Sequence, residues 1–146
     1  MTASQAGNSN YLAAPDVSLL ISVANPTFSS TFSSSSPTND ADGDGVPALV
    51  EYALGGSTNS NDLNLLPSPA FSGSNISMTA VVRTNDTNLL IYPQAAYNLS
   101  STNWTSSGFT TNVANQTNVP VGFQRREYLF NAGTNPRAFL KLTIQQ

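Results

Sequence analysis

The chain has 146 residues and a formal net charge of −3, from five Lys plus Arg and eight Asp plus Glu, so 9% of its residues are charged where about 25% is usual. So few cations cannot form the basic footprint that nucleic acid needs, and an anionic membrane surface is an equally poor partner. Cys and His are both absent, which excludes disulfides, Cys-His and Ser-His-Asp catalysis, and the common zinc sites.

Polarity is carried by 17 Asn, 20 Ser and 15 Thr, residues that favour turns and strand surfaces over helices. That mixture predicts a mainly β, loop-rich protein of extracellular or cell-surface type. No apolar stretch approaches the roughly 20 residues of a membrane-spanning helix, so no membrane insertion is expected. Met1-Thr2-Ala3-Ser4 lacks the basic residues and apolar core of a signal peptide, so an exported protein would appear here in mature form.

Residues 1–38 read as an extended N-terminal arm. A polar stretch leads to a candidate strand, Val17 to Val23, and residues 27–38 are Ser/Thr/Pro-rich, the composition of a flexible linker. The next segment, residues 39–56, has a different texture. Asp40-Ala41-Asp42-Gly43-Asp44-Gly45 precedes Pro47-Ala48-Leu49-Val50-Glu51-Tyr52-Ala53-Leu54, and Gly55-Gly56 follows. Proline suits a helix start and glycine the position past its end, so a helix of about two turns is expected, with Leu49, Tyr52 and Ala53 on its docking face.

Asp at loop positions one, three and five, Gly at six and Glu at twelve is the pattern of a calcium loop. Calcium takes six to eight hard oxygen ligands, and alternate Asp side chains in a tight loop converge on one point. The expected ligands are Asp40, Asp42, Asp44, the Val46 carbonyl and Glu51, with Ca2+ as a structural cofactor. These include four of the eight acidic residues, a clustering that would repel itself without a cation. Position eight is Pro47 and no second loop follows, so a paired sensor EF-hand is not expected. The loop instead resembles the single calcium loops of dockerin and thrombospondin type 3 repeats.

Residues 57–146 read as an antiparallel β-sandwich, Ig-like or jelly roll. Ile76, Met78, Ala80 and Val82 alternate with Ser77, Thr79, Val81 and Arg83, a half-buried strand. Leu89 to Tyr92, Ala96 to Leu99, Gly108 to Val113, Arg126 to Phe130 and Ala138 to Ile144 continue the series. In the last, Leu140, Leu142 and Ile144 share one face.

The loop and helix, with Val82-Arg83-Thr84-Asn85-Asp86, Asn103-Trp104-Thr105, Gln124-Arg125-Arg126 and Phe139-Leu140-Lys141-Leu142, resemble a module near the carboxyl end of large secreted proteins of Verrucomicrobia and related bacteria. The resemblance covers about residues 39–144. It implies a non-catalytic accessory module on a secreted or surface protein, with no ligand assigned.

Trp104 and Tyr97 are the candidate stacking platform for a polysaccharide, set against the plainer reading of core packing. Asp16, Asp62, Asp86 and Glu127 are the carboxylates left for an acid pair, and none has a recognisable setting, so no enzyme activity is expected. Five Asn-X-Ser/Thr patterns are about what this composition gives by chance. The functional expectation is a structural subunit whose partners are copies of itself, assembling into a filament or surface layer through its N-terminal strand. A carbohydrate-binding or cell-surface anchoring module is the alternative.

Overall fold

The computed structural model describes residues 2–22, 24–33, 35–100, 102–135 and 137–146. Its body is mainly β and its ladders are antiparallel. At the centre, β4 (Asn75–Arg83) pairs with β7 (Phe123–Asn131) along its full length, from Asn75 opposite Asn131 to Arg83 opposite Phe123. β3 (Ser68–Ser72) and β6 (Phe109–Val113) flank them, giving the order β3-β4-β7-β6. A second sheet has two strands, β5 (Leu90–Ala96) and β8 (Phe139–Gln145).

The two sheets share a hydrophobic layer. Ile76 and Phe130 of the larger sheet meet Ala95 and Leu140 of the smaller, and Ala80 and Val82 meet Ile91 and Leu142. Leu140 and Leu142 therefore face inward, as their alternation requires. The packing is that of a sandwich, but its six strands among the described residues are fewer than an immunoglobulin domain or a jelly roll contains.

Departures from the expected strands have local causes. Pro93 lacks an N–H, which suggested a break after Tyr92, yet β5 runs through it opposite Leu142. A proline is tolerated where a strand has a full ladder on one side only. The expected strand Ala96 to Leu99 is a turn beyond Ala96, with the Asn98 side-chain oxygen accepting from the Ser100 N–H at 3.0 Å. β3 was hidden by Pro67 and Pro69, and it occupies the sheet edge where proline is permitted.

The arm is more structured than its composition suggests. β1 (Thr2–Gln5) and β2 (Ala14–Ser18) form a hairpin, so the expected strand starts before Val17 and ends at Ser18; Val23 lies outside the described residues. Residues 27–38, expected as a bare linker, contain a helical turn, α1 (Phe28–Thr31); Ser34 lies outside the described residues. Thr27 caps this turn reciprocally: its hydroxyl accepts from the Ser30 N–H at 3.2 Å, and its own N–H donates to Ser30 Oγ at 2.8 Å.

Phe28 is buried against Tyr52 and Phe32, three rings in mutual edge-to-face contact with centroids 5.6 to 5.9 Å apart. Tyr52 belongs to α2 (Ala48–Leu54), which starts after Pro47 and stops where Gly55 takes φ +88, a left-handed conformation natural to glycine. The helix is buried on two rows. Ala48 and Tyr52, four residues apart, meet the arm, while Val50 and Leu54, also four apart, meet the sheets.

Tyr52 ties these parts together. Its ring lies 4.0 Å from the Arg83 guanidinium, whose Nε–H donates to the Tyr52 carbonyl at 2.9 Å. Its hydroxyl lies within donating distance of Asp86 Oδ2, 2.9 Å, and of the Pro26 carbonyl, 3.1 Å. Burial, the hydrogen bond to Asp86 and the charge of Asp86 push the Tyr52 hydroxyl up to about 12, against the lowering influence of Arg83. Removing only the hydroxyl, Tyr52→Phe, leaves the buried Asp86 carboxylate short of a donor. The expected cost is about 1–3 kcal/mol, read from the urea midpoint, and an unchanged midpoint would show that this bond contributes nothing net.

Candidate metal centre

The loop between α1 and α2 brings three carboxylates together. One oxygen from each of Asp40, Asp42 and Asp44 lies within 4.8 Å of the others. Backbone N–H groups hold them in place: Asp40 accepts from Gly43 at 2.9 Å and Gly45 at 3.0 Å, Asp42 from Asp44 at 3.1 Å, and Asp44 from Val46 at 2.7 Å. Gly45 takes φ +89, which lets the chain double back at the sixth loop position.

The ends of the loop are tied to each other. Pro47 provides no side-chain cap for α2, and the first N–H groups of a helix need acceptors. The carbonyls of Asn39 and Pro37, just ahead of the loop, accept from Ala48 and Leu49 at 2.7 and 3.0 Å.

Glu51 projects from α2 and is 2% exposed, and its Oε2 is buried without a hydrogen-bond partner. Its carboxyl is pushed up to about 7, first by burial and then by the negative charges of Asp42, Asp62, Asp44 and Asp40. A carboxylate enclosed in this way, facing other carboxylates and lacking a donor, is costly. Its chemistry suits a hard cation: the set is all oxygen, and one charge at the centre would relieve every repulsion at once. Glu51 is not within the 4.8 Å set formed by the three aspartates, but it lies near enough for the charge of each of them to raise its carboxyl. Val46, whose carbonyl was the remaining expected ligand, is buried beside the loop.

Asp62 was overlooked as part of this site. It lies in a polar segment without periodic signal, between α2 and a 3-10 turn at Leu63–Leu65, and only the fold brings it back to the loop. Its N–H donates to Asp44 Oδ2 at 2.5 Å, while its own Oδ2 accepts from the Ser57 N–H at 2.5 Å. A Cβ at Gly56 would meet the Asp62 carboxylate, so any larger residue there would displace it. Asp62 thus fastens the segment leading to β3 onto the acidic loop.

The carbohydrate candidates are placed elsewhere. Trp104 is half-buried with the Lys141 ammonium 4.4 Å from its ring centroid. Tyr97 is 47% exposed and leans on Phe130 at 6.1 Å between centroids. Of the carboxylates weighed as an acid pair, Asp86 is committed to Tyr52 and to the Asn88 N–H, and Asp62 to the Ser57 N–H. No helix among the described residues is long and apolar enough to cross a membrane. No family model, no curated protein and no solved structure matches the chain.

Proposed function

We propose that the chain is a non-catalytic structural subunit, stabilised by one calcium ion at Asp40, Asp42, Asp44, the Val46 carbonyl and Glu51, that assembles with copies of itself outside the cell. The observation that carries the calcium reading is Glu51: a buried carboxylate oxygen without a donor, facing three converged aspartates. The ion's work is mechanical. The carbonyls of Pro37 and Asn39 at the end of the arm accept from the start of α2, Asp62 bonds the segment before β3 to Asp44, and Glu51 of α2 feels the charge of the loop's aspartates. One cation there would lock all three together. Self-association is supported by the arm, whose described residues from 2 to 22 are exposed throughout, including Tyr11, Leu12, Val17 and Leu20.

Extracellular calcium loops commonly bind at about 10⁻⁴–10⁻³ M. At 10 mM calcium, mass action then stabilises the fold by about 1.4–2.7 kcal/mol, a rise of about 3–10 °C in Tm for a domain of this size. Calorimetric melting in calcium, in magnesium and in excess chelator measures this. Equal melting temperatures in calcium and chelator would sink the reading. Light scattering on the same samples tests assembly, and a monomer at every concentration in calcium would refute that half.

A further inference from the structure

Within the two-stranded sheet, β5 covers one edge of β8, and no strand among the described residues pairs with the other. That free edge opens onto a groove of about 490 Å³, with Phe71 and Met78 of β3 and β4 on one wall. The opposite wall is formed by the consecutive residues Ala138 to Leu142. Consecutive residues on one wall mean that the strand presents its edge, with its backbone donors and acceptors, and not merely one face. The groove continues past Leu142 for about 400 Å³ toward Val50 and Leu54 of α2. It is thus an apolar slot as long as β8, placed where a larger sandwich would hold another strand.

The same chain carries a segment shaped for that slot. In Val17-Ser18-Leu19-Leu20-Ile21-Ser22, Val17, Leu19 and Ile21 fall on one face of an extended strand, with Ser18, Leu20 and Ser22 on the other. On the apolar face, Val17 is 67% and Ile21 59% exposed. Its first two residues, Val17 and Ser18, end the hairpin opposite Ala3 and Thr2, and that hairpin is two-stranded and fully exposed, an arrangement of marginal stability by itself. Charge agrees as well. Among the described residues, Lys141 is the only charged one lining either part of the groove, and Asp16, next to the segment, is the only charged side chain in residues 2–22.

We propose that the groove along the free edge of β8 accepts residues 17–22 of a second copy of this chain as an added strand, with Val17, Leu19 and Ile21 turned into it. This rests on the self-assembly reading above and names its two surfaces. Backbone hydrogen bonds to β8 supply affinity, and the apolar face supplies register. Donor and acceptor are different patches, so the contact is head-to-tail and propagates into a filament, or a ring if it closes.

The test uses two full-length variants at surface positions: Ile21→Asp in the donor and Phe71→Asp, 76% exposed, at the groove. Each is expected to weaken self-association by about 10- to 100-fold, the effect of one charge forced into an apolar contact. Their mixture is the decisive sample. Ile21→Asp keeps a working groove and Phe71→Asp keeps a working strand, so light scattering should show a heterodimer that grows no further, although each variant alone is monomeric. If both variants assemble like the wild type, the surfaces named here are wrong while self-assembly itself stands. A wild type that is monomeric at every concentration, with its arm protected from protease, means that the strand fills its own groove, and overturns both.

Discussion

Replacing Glu51 by Gln is expected to have opposite effects with and without calcium. On the proposed calcium reading, the variant in millimolar calcium loses a charged ligand, and its calcium affinity should fall by on the order of 100-fold, the upper end of what even outer groups at metal sites contribute. Under chelator the same change removes a buried charge that faces four aspartates. The amide keeps the shape and can donate to their oxygens, so the variant should then be more stable than the wild type, by about 1–3 kcal/mol at pH 8. Urea unfolding of both proteins in both buffers decides it. Destabilisation of the same size in calcium and in chelator would mean that Glu51 only fills space.

The calcium-free protein should also show this in its pH dependence. The Glu51 carboxyl moves from an ordinary value of 4.5 to about 7 on folding, so between those values the folded state holds a proton that the unfolded chain releases. Its contribution is therefore fully present below about pH 4.5 and lost as pH rises through about 7. Chelated wild type should lose stability between pH 5 and pH 8, and Glu51→Gln should lose less over the same range.

The second large effect is expected at Phe28. This ring is 5% exposed and covers Ala48 and Tyr52 on one side of α2, so Phe28→Ala opens a cavity beside the rings of Phe32 and Tyr52. The expected cost is about 3–5 kcal/mol, a fall of at least about 6 °C in Tm. α2 also carries Glu51, so calcium affinity should weaken in the same variant, although Phe28 touches no ligand. Calorimetry and a calcium titration measure the two effects, and a variant that melts with the wild type would mean that the arm rests on α2 without supporting it.

Some of this was fixed locally and could be read directly. The Asp-x-Asp-x-Asp-Gly spacing is itself a loop geometry, because three side chains two residues apart in a tight turn point inward whatever lies around them. Pro47 and Gly55 likewise bound α2 by their own backbone preferences. The alternation in β4 and β8 assigns one face of each strand to a core before any partner is known. Proline obscured β3 and split β5, because a local rule cannot tell an edge or a half-paired strand from an interior one.

What the tertiary structure decided lies where distant residues meet. Asp62 is one of several polar residues between α2 and β3, and only the return of that segment makes it a neighbour of Asp44 and Glu51. Phe28 and Phe32 sit in a stretch whose Ser and Thr content reads as linker, yet Tyr52 offers a place for both rings. Sequence alone also could not reveal the open edge of β8. Whether a strand edge is paired depends on the strands around it, and here a four-stranded sheet faces a two-stranded one.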